Sequence, residues 1–131
     1  MVGKMTFSAL SVLAPAGDWI RAGRKTIEVR RWSPEKWLLR NLLIVQNSNR
    51  LSCDGLTSDP DGKVVAMVDV AMVRPWQKDD LVASVSDIFE EGWLAWELQN
   101  IRPVDYPLPV SACRKIYEVE LEQKYLQIKK A

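Results

Sequence analysis

Lys25, Glu28 and Arg30 are the residues of this chain best placed to do chemistry. They stand in the octet Gly23-Arg24-Lys25-Thr26-Ile27-Glu28-Val29-Arg30. An ammonium and a guanidinium can hold a phosphate or a base carbonyl, and a carboxylate beside them can accept from an exocyclic amine. Glu28 and Arg30 are two apart in a strand-like segment, so both side chains leave one face. Lys25 has the opposite parity on a regular strand. It joins the other two only if the chain bends before the strand, and Gly23 makes such a bend possible. Desolvation would lower the pKa of Lys25 and make it a base, but nearby carboxylates resist that fall. Binding by a charged lysine is therefore favoured over catalysis by a neutral one.

Asp69 is the second candidate. It interrupts the most apolar run of the chain, Val64 to Val73. An unpartnered carboxylate there would cost several kcal/mol, so Asp69 is expected to meet a cation or a polar cavity. Lys25 and Arg30 are the candidate partners, which would put Lys25, Glu28, Arg30 and Asp69 on one pocket. The plainer alternative is an ion pair that only fixes register. A third signal is aromatic. Of six tryptophans, Trp32 and Trp37 lie among Arg30, Arg31, Lys36 and Arg40. Aromatics interleaved with bases suit stacking on unpaired nucleobases, although a tryptophan-capped amphipathic segment reads the same way.

The composition limits the chemistry further. The chain has 131 residues and no histidine. That removes histidine triads and all-histidine metal sites. Cys53 and Cys113 are far apart and have no metal-ligand spacing, so neither a metal nor a disulfide framework is expected, and no cofactor. No apolar run of about 18 residues suggests a membrane span. No long apolar run follows Met1-Val2-Gly3-Lys4, so a cytoplasmic location is expected. Residues 1–50 carry nine basic and three acidic residues, and the remainder nine basic and fourteen acidic. The halves are thus +6 and −5, a pattern that suits a local polyanion site or two halves that neutralise one another.

The elements that must position these residues are short. Met5 to Val12 reads as a strand. Residues 15–22 read as a helix, with Pro15 in its first turn and Gly23 as the residue that ends it. Lys25 to Arg30 is a strand with Ile27 and Val29 on one face. Leu42 to Gln46, Lys63 to Val73, Leu94 to Val104 and Lys115 to Leu121 are further strands, and Asp79 to Asp87 is a short helix or an ordered loop. A single domain is expected over 1–131, with a core of about 5–121 and a charged tail at 122–131. Many short strands and an early helix suggest an α+β fold whose sheet curls into a barrel.

The octet matches the Gly-x-Lys-x-x-Glu-x-Arg signature of the ASCH (activating signal cointegrator homology) family, which the chain resembles from about Phe7 to Leu121. A second block agrees: Trp96-Glu97-Leu98-Gln99-Asn100-Ile101-Arg102-Pro103, then Pro107-Leu108-Pro109, then Ile116-Tyr117-Glu118-Val119. The family commonly ends in such a strand, a proline-rich link and an aromatic last strand. The resemblance implies a PUA-like small β-barrel of five to six mostly antiparallel strands with one or two short helices.

The resemblance also implies a charged cleft for single-stranded RNA or a modified nucleoside. Arg24, Lys25, Glu28, Arg30, Arg31, Trp32 and Ser48 are its candidate binding residues. One branch of the family comprises the bacterial acetylcytidine amidohydrolases. Their catalytic lysine maps to Lys25, their acidic residue to Asp69, and their threonine nucleophile to the position of Glu28, which has no hydroxyl to acylate. Other members are reported as ribonucleases, for which Lys25, Arg30 and Ser48 are the matching residues. The first reading is therefore an RNA- or nucleoside-binding domain, expected to be a monomer. A hydrolase, with Lys25, Glu28 and Asp69 as its catalytic set, is the second. A protein-interaction module is the third.

Overall fold

The computed structural model of the protein describes residues 4–35, 39–51 and 59–122. Lys36, Trp37, Cys53 and the tail beyond Glu122 lie outside them. The chain runs β1 (Lys4–Leu13), α1 (Ala16–Arg21), β2 (Ile27–Arg30), β3 (Leu39–Asn47) and β4 (Lys63–Pro75). A 3-10 turn (Lys78–Asp80) then leads into α2 (Leu81–Ser84), β5 (Leu94–Pro109) and β6 (Ile116–Glu122). The described strands form one six-stranded sheet in the order β2-β5-β4-β3-β1-β6. β1 and β3 are parallel and the other pairs antiparallel. The sheet is mixed and curls into a half-barrel, the small α+β architecture expected.

The apolar alternation of the strands fills both faces of this sheet. One core gathers Leu10, Val12, Leu42, Ile44, Val68, Val70, Trp96 and Leu98, with Ile20 of α1 laid over it. The opposite face packs Ala9, Leu43, Val45, Val64, Met67, Val104 and Val119. Such two-sided burial explains why β4 reads as a continuous apolar run rather than an alternating one. α1 seats on β3 through Gly17, where a Cβ would lie 2.8 Å from Gln46 Cβ. Gln46 also ties down the first turn, accepting from the Asp18 amide and donating to the Asp18 carboxylate.

One open alternative is decided, and one element differs from expectation. Asp79 to Asp87 resolves into the 3-10 turn and one turn of α2. The segment Pro107-Leu108-Pro109 is not a link, because it continues β5 and pairs with Val64 and Lys63 of β4. β2 covers only Leu94–Glu97 of β5. Beyond that point β5 pairs with β4 on one side, and an unpaired strand side is where proline's missing N–H is tolerated.

Candidate functional site

The bend that the octet needs is built by α1. Gly23 takes φ +80°, the left-handed conformation that ends helices. The Arg24 and Lys25 amides then both donate to the Trp19 carbonyl, closing the last turn. Thr26 breaks away from the helix, donating to the Ala83 carbonyl and accepting from the Leu98 amide. This turn takes Lys25 out of strand geometry and sends its side chain inward. Lys25 and Glu28 are each 6% exposed. Lys25 Nζ lies 3.4 Å from Glu28 Oε1 and donates to the Ser84 carbonyl at 2.6 Å. Arg30 donates to Glu28 Oε2 at 2.9 Å. Lys25, Glu28 and Arg30 therefore converge, through the bend that Lys25 requires.

Burial alone would raise the Glu28 pKa. Arg30 and Lys25 outweigh it, so the carboxyl is held below its ordinary value and stays ionised between two cations. The Ser84 carbonyl that receives Lys25 is fixed in turn. Arg74 grips Asp80 with two guanidinium nitrogens and also donates to Glu97 at 2.6 Å, while Ser84 Oγ donates to the Asp80 carbonyl.

Arg30, held by Glu28 and the Ser11 carbonyl, carries this cluster to the edge of a cleft. It lines this cleft, of about 280 Å³, together with Trp32, Asn47, Arg50, Arg114 and Lys115. Among the described residues lining that cleft, four are cationic and none is acidic. Trp32 meets Trp96 edge to face with centroids 4.9 Å apart, and its backbone carbonyl accepts from the Trp96 indole. Lys115 Nζ stands 5.8 Å from the Trp32 ring centroid. Asp59 ties the two loops that form the rim. Its carboxylate accepts from the Asn49 amide, and its backbone exchanges two hydrogen bonds with Ala112. Ser11 Oγ and the Tyr117 hydroxyl are 2.7 Å apart beneath the cleft, and burial pushes the phenol pKa up.

Asp69 is not part of this cluster. Its cation is Arg102, at 2.7 Å, and it also accepts from the Asn41 amide and the Asn100 side chain. The reason is strand parity. Val68 and Val70, on either side of Asp69, belong to the core that holds Trp96, and Glu28 lies opposite Trp96 in register. Asp69 therefore faces away from Glu28 and Arg30. Its role is visible in the backbone: Asn41 and Asn100, both at positive φ, mark irregularities of β3 and β5 on either side of β4. The three polar contacts hold its carboxyl pKa down against burial.

The remaining expected residues are dispersed. Arg24 stacks on Trp19 at 5.2 Å and Arg31 on Trp93 at 4.6 Å. Both are exposed, and neither is among the residues lining the cleft. Ser48 faces a separate hollow with Pro60 and Lys63. Arg50, Arg114 and Lys115 were not singled out from sequence. The last two adjoin the aromatic strand block, but only closure of the sheet brings them to Arg30. Groups of three or more acidic or cysteine side chains able to hold a metal are absent among the described residues. No helix there is long and apolar enough to cross a membrane.

Comparison with solved structures finds the same fold. ASCH from Zymomonas mobilis superposes with a TM-score of 0.57 at 17% identity, covering 79% of this chain and 73% of that one. A single-substitution variant of the same protein gives 0.55 at 18% identity, with coverage of 79% and 75%. At such identity the likeness is one of fold. Comparison with curated protein sequences returns no match. The family model for the ASCH domain matches residues 10–125, and the chain belongs to the ASCH domain family.

Proposed function

We propose that the protein binds single-stranded RNA through the cleft between Arg30 and Lys115. The observation that carries this reading is the sign of the lining: Arg30, Arg50, Arg114 and Lys115 around one concavity, with the Trp32 indole in its wall. Cations that track a phosphate backbone, beside an aromatic on which a base stacks, are the two parts of sequence-tolerant single-strand binding. Lys25 and Glu28 serve this site from beneath. They do not line it; the Glu28 carboxylate holds Arg30 in place, and Lys25 in turn holds Glu28.

The hydrolase reading finds less support. In the acetylcytidine amidohydrolases the lysine, the threonine and the acid act together. Here Lys25 is engaged by Ser84 and Glu28, the threonine position is Glu28, and Asp69 faces away.

The test is fluorescence anisotropy of a labelled single-stranded RNA titrated at several salt concentrations. Three to four phosphate contacts give a log–log slope of about −2 to −3. Binding that does not respond to salt, or no binding at low salt, rejects the cleft as a polyanion site.

A further inference from the structure

The basic cleft has a neighbour of opposite character. A second hollow, of about 470 Å³, adjoins the cleft at Trp32. Trp32 and Lys115 line both hollows. Beyond them the lining changes sign, because the second hollow presents the carboxylates of Glu35 and Glu118 with the hydroxyl-bearing Ser8 and Ser33. Among its described lining residues Lys115 is the one cation, and it stands on the border. From the first hollow to the second, the lining therefore changes from four cations to two carboxylates and the shared Lys115.

A nucleotide has the same polarity at the same scale. Its phosphate is an anion, and its base is an aromatic plate carrying donors at the far edge if it bears an exocyclic amine. Resting on the reading of the cleft as an RNA site, we infer that the two hollows form one bipartite nucleotide subsite. The phosphate sits with Arg50, Arg114 and Lys115. The base stacks on Trp32 and directs its exocyclic amine to Glu35 and Glu118. An ionised carboxylate only accepts hydrogen bonds. It therefore receives the amine of adenine or cytosine and repels the keto oxygen that hypoxanthine or uracil places there. The ligand class is a nucleoside phosphate with an amino-bearing base, and both ends contribute.

Matched mononucleotides test this without any variant. Adenylate is compared with inosinate, and cytidylate with uridylate, by chemical-shift titration of the labelled protein. Each pair exchanges an amino for a keto group, with a proton gained on the adjacent ring nitrogen, and keeps ring size. The amino member of each pair is expected to bind roughly three- to tenfold more tightly. Adenosine and cytidine, lacking phosphate, should bind about tenfold more weakly than their phosphates, the factor that about 1.4 kcal/mol confers. The exposed pair Glu35→Gln with Glu118→Gln should erase the amino preference and leave the phosphate dependence. Equal affinities within both pairs overturn the inference, as does failure of all four nucleotides to bind while salt-dependent RNA binding persists. In both cases the cleft reading survives. Absence of any RNA binding removes the cleft reading and this inference together.

Discussion

The Arg30 guanidinium donates to the Ser11 carbonyl at 2.7 Å. β2, which carries Arg30, ends the sheet order, and three strands separate it from β1, which carries Ser11. One side chain thus ties the two sides of the half-barrel across its mouth, and the same nitrogen is held by Glu28. Arg30→Ala should lower unfolding free energy by about 1.5–3 kcal/mol, the value of hydrogen bonds to a charged group. Urea denaturation measures it. Arg30→Lys should recover less than half, because the lysine ammonium ends short of the guanidinium nitrogen that holds both acceptors. Full rescue by lysine would show that charge alone matters at this position.

Glu28 gives the protein a specific acid sensitivity. Its folded pKa lies below the ordinary glutamate value of 4.5. As pH falls through that value the unfolded chain takes up a proton and the folded one does not. The stability that Glu28 contributes is therefore complete above pH 4.5 and is lost as pH drops through the lowered folded pKa. Glu28→Gln should flatten the pH dependence below about pH 4.5 and lower stability at neutral pH by about 3–5 kcal/mol, since a buried ion pair loses one partner. Denaturant melts at several pH values compare the slopes. Because Asp69 and Asp80 also have lowered pKa values, some slope should remain in the variant.

Asp69→Asn separates structure from function. It weakens the Arg102 pair and the hold on Asn41 and Asn100, and should cost about 1–2 kcal/mol. RNA affinity should stay within twofold, because the carboxylate faces away from the cleft. A large loss of affinity in a variant with native circular dichroism would return Asp69 to the site.

Arg50→Gln and Lys115→Gln test the rim directly. Each phosphate contact removed should reduce the salt slope by about 0.7. Both residues are exposed, so thermal stability should change little. Anisotropy titrations at three salt concentrations give the slopes. An unchanged slope in the double variant would place the phosphates elsewhere.

Local rules in the sequence determined most of the framework. Gly23 announced the end of α1. The parity of Ile27 and Val29 against Glu28 and Arg30 assigned the faces of β2, and the bend allowed by Gly23 put Lys25 with Glu28. These depend on backbone geometry within a few residues, which composition and spacing encode. The partner of Asp69 was not legible, because it depends on which face of β4 each neighbour presents after irregular register on both sides. Cross-strand register is set by the whole sheet and not by one strand. For the same reason Pro107 to Pro109 read as a link, since nothing local says that β2 stops short and leaves one side of β5 open. The cleft itself belongs to tertiary structure alone. Arg30, Arg50 and Lys115 come from three separate segments, and only the curl of the sheet, closed by Arg30 on Ser11, brings their charges around Trp32.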